Sequence, residues 1–279
     1  MSVVAVGPAL DLDGPLPVAP PHSLLNTPGV IVNRDLTRVL NGVNLDAYPT
    51  GCASLWEPCS TGTFRLKEEE SEIPQARFDS FVVYKPVMCS GIGLNPLAAR
   101  KLSDKLEAVL DAVASAGVER ALAEGVLEST NPFFGDSDVE ILAGGAAVSA
   151  GVALSYLENA IGRTCRQGMI HATPATISAL QAIPDGSDAL VTANGNTVVS
   201  GDGYIDVDTP DLAAQDPDGT TDWMFATGPV QVYLGPIEAR DIEEALDRSD
   251  NTVVFRAERY VVAYWDTALQ AAILVDWSL

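Results

Sequence analysis

Apolar residues at Leu102, Leu106, Val109, Leu110 and Val113 recur every three or four positions, the spacing of one helix face. Asn95 can cap that helix, Pro96 suits its first position, and Gly125 follows its last turn,. The pattern predicts about 29 helical residues, or about 43 Å at 1.5 Å per residue. Lys101, Asp104, Lys105, Asp111, Glu119 and Arg120 fall on the remaining face. A helix this long and polar on one side lies across a sheet or along an interface. Before it, strand-like Thr63-Phe64 and Phe78–Tyr84 flank the run Arg65-Leu66-Lys67-Glu68-Glu69-Glu70-Ser71-Glu72, which is too charged to bury. The pattern predicts a two-stranded ribbon with a charged tip, feeding directly into the helix.

Further along, a small-residue-rich helix is expected from Ala143 to Ile161, then a short strand Met169–His171 and a helix from Thr173-Pro174 to about Ile183. From Ala189 to Val207 short strands are broken by Asn194-Gly195 and Asp202-Gly203, both turn-forming dipeptides,. Asp208–Thr221 reads as an acidic Pro/Asp/Gly loop, Val230–Leu234 as a strand, and Ile242–Leu246 as a helical turn or two. Two strong strands, Thr252–Trp265 and Leu269–Trp277, close the chain as a pair around Asp266-Thr267. No internal repeat is visible. Residues 1–48 are rich in Pro and Gly with little periodicity, and read as an extended arm in which Asn33–Leu40 supplies at most a turn or two of helix. Such an arm cannot offset its own ordering entropy. A neighbouring chain is therefore expected to hold it, and deleting residues 2–25 is expected to leave the subunit folded.

Composition narrows the function. The formal net charge is −22, and no Lys or Arg occurs between Gln167 and Ala239 while acids accumulate from Asp185 to Asp222. A surface of that kind does not bind nucleic acid by neutralising phosphates. No run of eighteen apolar residues is present, so no membrane span is expected, and the N-terminus lacks the basic region of a secretion signal. Cys52, Cys59, Cys89 and Cys165 form no CxxC pair, which points to reduced thiols and not to a disulfide scaffold or zinc site.

Candidate chemistry is sparse. Gly91-Ile-Gly93 mimics the start of a dinucleotide fingerprint, but Pro96 stands where a third glycine belongs,. Ala147-Val148-Ser149-Ala150-Gly151 is a degraded nucleophile elbow within a helical pattern. With His22 and His171 the only histidines, a hydrolase would have to rest on Ser149 and His171, and His171 reads better as a satisfied residue at a strand end. Asp202, Asp206, Asp208, Asp216, Asp218 and Asp222 have the density of a calcium loop without its spacing,. No complete catalytic, metal or cofactor set emerges.

The order of arm, charged-tip ribbon, long helix, mixed α/β segment and final strands resembles the major capsid protein of tailed bacteriophages, whose fold is shared with encapsulin shells. Phe78–Met88 looks like the returning strand of that family's E-loop, and Asn95–Glu124 like its spine helix. Gly168–Pro174 is similar to the family's strand and turn, and Thr252–Tyr260 to its late P-domain strand with arginines. The resemblance implies an α+β fold divided into an N-arm (1–48), an E-loop ribbon (49–93), the spine helix with the first part of the P-domain (94–135), an A-domain (136–235) and a return to the P-domain (236–279). It implies a non-enzymatic subunit without cofactor, forming hexamers and pentamers of an icosahedral head around double-stranded DNA that it does not read by sequence. Scaffold, portal and decoration proteins are the implied partners, and the virion, assembled in the host cytoplasm, is the implied location. Intersubunit contact would fall to Phe64, Arg65, Lys67, Glu68, Glu69, Glu70, Arg77, Phe78 and Phe81. An encapsulin-like compartment is the alternative within the fold. The family's isopeptide cross-link needs a loop lysine, a distant asparagine and a glutamate; Lys67 is available, with Asn196 or Asn251 as partner.

Overall fold

The computed structural model of the protein describes residues 14–46, 75–90, 96–180, 189–209, 212, 219–241 and 252–279. The long helix, α1, runs over Pro96–Glu124 as its capping signals predict. Gly125 takes a left-handed φ of 84° and donates its N–H to the Ala121 carbonyl at 3.1 Å, the glycine stop that spares a side chain the strain of that conformation. The buried face of α1 follows Leu106, Leu110, Ala114, Val118 and Leu122. Val113, expected inside, is exposed; Glu119, expected outside, is fully buried.

One sheet carries strands β1 (Ile31–Asn33), β4 (Phe81–Ser90), β10 (Val230–Leu234), β11 (Glu238–Asp241) and β12 (Thr252–Trp265). β12 is its axis. It pairs antiparallel with β4 along one edge and with β11 and then β10 along the other, while β1 joins β10 in parallel. A second sheet takes β5 (Glu140–Ile141), β6 (Met169–Ala172), β7 (Leu190–Val191), β8 (Thr197–Ser200), β9 (Thr221–Thr227) and β13 (Gln270–Asp276), in the order β5-β13-β9-β6-β8-β7. A separate two-stranded ribbon pairs β2 (Val43–Asp46) with β3 (Gln75–Phe78). The expected partner of the returning strand, Thr63-Phe64, lies outside the described residues.

The second sheet is a wall between two cores. On β9, Trp223 and Phe225 face a core shared with α1 and the first sheet, while Met224 and Ala226 face a core closed by helix α2 (Ala150–Arg163). Every residue of β9 is buried, and strands buried on both faces lose the polar alternation that marks half-exposed ones. That is why a chain segment beside an acidic loop conceals a central strand. The expected closing pair also separates. A turn at Asp266–Ala268, pinned by the Ala268 N–H donating to Asp266 Oδ1 at 3.1 Å, passes the chain from β12 in one sheet to β13 in the other.

The helix expected from Ala143 begins only at Ala150. Ala143, Gly144 and Gly145 adopt positive φ values of 52°, 63° and 78°, which no right-handed helix accommodates. A short helix, α3, covers Pro174–Leu180. Residues 37–41 form turns and no helix, and Ile242–Leu246 falls outside the described residues. Cys165 is disulfide-bonded, where reduced thiols were expected.

The arm is held by its own chain. From Pro20 to Thr27 it makes a run of tight turns, with Leu24 fully buried, and it continues into β1. The Leu24 N–H is bonded to Glu119 of α1 at 2.8 Å, so this part of the arm is tied within its own chain.

Candidate intersubunit surface

Of the nine residues expected at the contact, Phe64, Arg65, Lys67, Glu68, Glu69 and Glu70 lie outside the described residues. Arg77 is exposed at the base of the β2–β3 ribbon. Its Nε donates to Asp79 Oδ1 at 2.8 Å and its Nη2 to the Asn41 carbonyl at 3.1 Å. Phe78 and Phe81 are corrected: both are buried in the chain's own core. Phe78 packs edge-on against Trp265 with ring centroids 4.9 Å apart, and β-strand alternation turns Phe81 and Val83 toward α1. Gly117 of α1 sits so close to Val83 that a Cβ there would collide with it. Neither phenylalanine has surface left to offer a neighbour.

The opposite face of the same strands is open. Tyr84 is 58% exposed, Met88 66% and Tyr260 45%, and Val82 stands directly across from Tyr260 in the β4–β12 register. Between them Arg256 Nη2 lies 2.6 Å from Glu258 Oε2, and the Arg256 guanidinium sits 5.9 Å from the centroid of the Tyr84 ring, within cation–π range. A cavity of about 440 Å³ adjoins this band, lined by Leu36, Leu40, Gly235, Pro236 and Tyr260 among others. Aromatic and Met side chains around an arginine are the composition of association surfaces, not of catalytic pockets. Sequence reading passed over these residues because it searched the charged tip; the signal was Phe81-Val82-Val83-Tyr84, apolar on both strand faces.

A buried carboxylate ties the arm to α1. Glu119 Oε1 accepts the Leu24 N–H at 2.8 Å and the Ser115 hydroxyl at 2.9 Å, and Oε2 accepts the Gly203 N–H at 3.0 Å. Burial raises the Glu119 pKa, while these hydrogen bonds pull it back down,. Gly201 and Gly203 are glycines because Glu119 and the α1 backbone fill the space where their Cβ atoms would go. This anchor fixes two distant segments, the arm at Leu24 and the turn at Gly203, to one point on the helix.

The hydrolase pair is not assembled. His171 is fully buried in β6, with Nδ1 2.9 Å from the Tyr204 hydroxyl and Nε2 2.9 Å from Thr227 Oγ1. Both ring nitrogens are thus engaged, and burial drives the pKa down to about 3. Ser149 sits just before α2, not within it as expected, and makes no side-chain capping bond. Asn196 is buried, donating to Glu158 Oε2 at 2.7 Å and accepting the Gly168 N–H at 3.0 Å. Lys67, Asn251, Gly91 and Gly93 lie outside the described residues, as do Asp216 and Asp218. No cluster of three or more His, Cys, Asp or Glu side chains is placed to hold a metal among the described residues, and no described helix is long and apolar enough to cross a membrane.

No family model matches the chain, and no curated protein matches it either. Solved structures do match across nearly its whole length. One is from phage G, in a structure of its major capsid and decoration proteins: TM-score 0.54, 8% identity, covering 96% of this chain and 94% of that one. Another is from Gordonia phage Cozz: TM-score 0.51, 10% identity, covering 98% and 91%. The chain has the α+β fold of tailed-phage major capsid proteins.

Proposed function

We propose that the chain is the major shell subunit of a tailed-phage head, assembling into hexamers and pentamers around double-stranded DNA. The observation that carries this reading is the likeness to the phage G major capsid structure over 96% of the chain, since a match that includes the arm, the ribbon base and α1 covers the parts a shell uses to join its copies. The open apolar band of β4 and β12 supports it, as does the committed state of His171. The subunit is not an enzyme and belongs to the virion, assembled in the host cytoplasm with scaffold and portal proteins; decoration proteins are further partners, as the phage G structure holds them together with its major capsid proteins. The divisions at residues 48, 93, 135 and 235 serve as arm, E-loop, spine and A-domain boundaries. The ribbon bearing Phe64, Arg65, Lys67 and Glu68–Glu70 reaches a neighbouring subunit, with Arg77 at its base. Packaged DNA is held by confinement and counterions, because a chain of net charge −22 repels phosphate,.

Sedimentation and electron microscopy of the purified protein, with scaffold where required, test this. Closed particles are the expected result. A persistent monomer under every assembly condition overturns it, and tight, salt-sensitive binding of the free subunit to duplex DNA overturns the account of how the genome is held.

A further inference from the structure

Arg259 stands where the strand pattern calls for an apolar side chain. On β12 it shares a face with Ala257 and Val261, both fully buried,, and it is itself only 5% exposed. It lines a cavity of about 290 Å³ between arm residues Pro17–Ala19, α1 and the end of β1. Its Nη2 meets Asp111 Oδ1 of α1 at 3.2 Å, while its Nε is buried without a hydrogen-bond partner. Arg34, just after β1, lines the same cavity; it is exposed and pairs with no carboxylate among the described residues. Burial lowers the Arg259 pKa, Asp111 pulls it back up, and the Arg34 charge lowers it again. Two cations therefore share one half-exposed carboxylate.

The neutral polar side chains of the cavity wall are already engaged. Ser115 Oγ accepts the Leu25 N–H at 3.0 Å and donates to Glu119 Oε1 at 2.9 Å. Asn26 Nδ2 donates to the Pro20 carbonyl at 3.0 Å and to Ser23 Oγ at 3.1 Å. Leu25, Val32, Ala112 and Leu234 make much of the remaining wall apolar. The side-chain donors left for a ligand are thus the two guanidinium groups, and one positive charge is unmatched. Buried charge short of partners is costly; water in the cavity supplies acceptors but not the missing negative charge. We propose that this pocket binds a small free oxyanion of the phosphate or sulfate class, bridged by Arg259 and Arg34. A guanidinium fork matches paired oxyanion oxygens. An ion held there would also join the arm to β12 and α1. Duplex DNA fits less well, because its charge is spread along a rod and the cavity is small. The inference does not depend on the shell-subunit reading.

A protein of net charge −22 repels anions at long range,, so saturable uptake of one anion per chain reports a local site. Calorimetric titration of inorganic phosphate onto the full chain tests this, in about 0.15 M chloride to screen that repulsion. One site per chain is expected, with a Kd on the order of 1 mM and competition by sulfate. Arg34→Gln is expected to weaken binding about ten-fold, with circular dichroism unchanged because Arg34 is exposed. Arg259→Lys, which keeps the charge and loses the fork, is expected to weaken it as well. Arg38→Gln removes an exposed arginine outside the cavity and is expected to leave the affinity unchanged. Absence of saturable binding, full affinity in Arg34→Gln, or an equal loss in Arg38→Gln overturns the assignment. Acetate competing as well as sulfate shows a carboxylate site, and displacement by duplex DNA at equal phosphate concentration shows a polymer site; either result also overturns it. Failure to form particles would sink the shell reading and leave this titration, made on the free subunit, to decide the pocket.

Discussion

Strands β9 and β4 use apolar residues in opposite ways. β9 is buried along its whole length, its side chains divided between two cores. β4 puts Phe81 and Val83 into one core and leaves Tyr84 and Met88 in solvent. A chain able to cover β9 so completely has the means to cover β4, yet does not. The difference separates surface committed to the fold of one subunit from surface still available for joining subunits, because large contiguous apolar exposure marks association sites.

The sharpest break is expected at β9. Trp223→Ala removes a fully buried indole from the shared core and is expected to cost about 4 kcal/mol, measured by urea unfolding. Glu119→Ala comes next, at about 3 kcal/mol, because it leaves the Leu24 and Gly203 N–H groups buried without acceptors. Deleting residues 2–25 removes one of the same bonds and bares Glu119, so the isolated subunit is expected to lose stability, contrary to what the arm's composition suggests. An unchanged melting temperature in either variant would show that the arm is not held at this point.

A pH series sharpens the comparison further. Burial holds the His171 pKa down at about 3 against an ordinary 6.5. The unfolded chain therefore takes up a proton that the folded chain refuses, and this stabilisation is complete above pH 6.5 and is lost as pH falls toward 3. Glu119 runs the other way: its folded pKa is raised above 4.5, so the folded state binds the extra proton and stability declines as pH rises from 4.5 through the folded pKa. His171→Asn is expected to flatten the acid side of the urea-stability profile, and a profile of unchanged slope would refute the assignment. The smallest effect on stability belongs to β4. Tyr84→Ser with Met88→Ser is expected to shift unfolding by less than about 0.5 kcal/mol while reducing particle yield; normal assembly would show that the open band joins nothing.

Much of the fold was legible where signals are local. Pro96 and Gly125 mark the limits of α1, and the long apolar run of β12 was plain. Legibility failed where partners are remote. Glu119 looks like an outward-facing glutamate until Leu24 and Gly203 are brought to it, 95 and 84 residues away. The turn at Asp266 is visible, but nothing local shows that β12 and β13 then part into different sheets. At the candidate surface, the exposure of Arg77 was legible from its charge. Phe78 and Phe81 were misplaced, because alternation shows that a strand has two faces without showing which one α1 covers.

The β4–β12 register joins Phe81 to Val261, and all the residues of α1 lie between them in sequence. Pairings so distant slow folding, because a long loop must close before any contact stabilises it. Until β12 arrives, β4 is a bare edge that could recruit the wrong strand. Refolding of the isolated chain, followed by tryptophan fluorescence, is accordingly expected on the millisecond-to-second scale, with losses to aggregation that grow with protein concentration. Making a competent subunit, before any two of them meet, is then a slow and concentration-sensitive step.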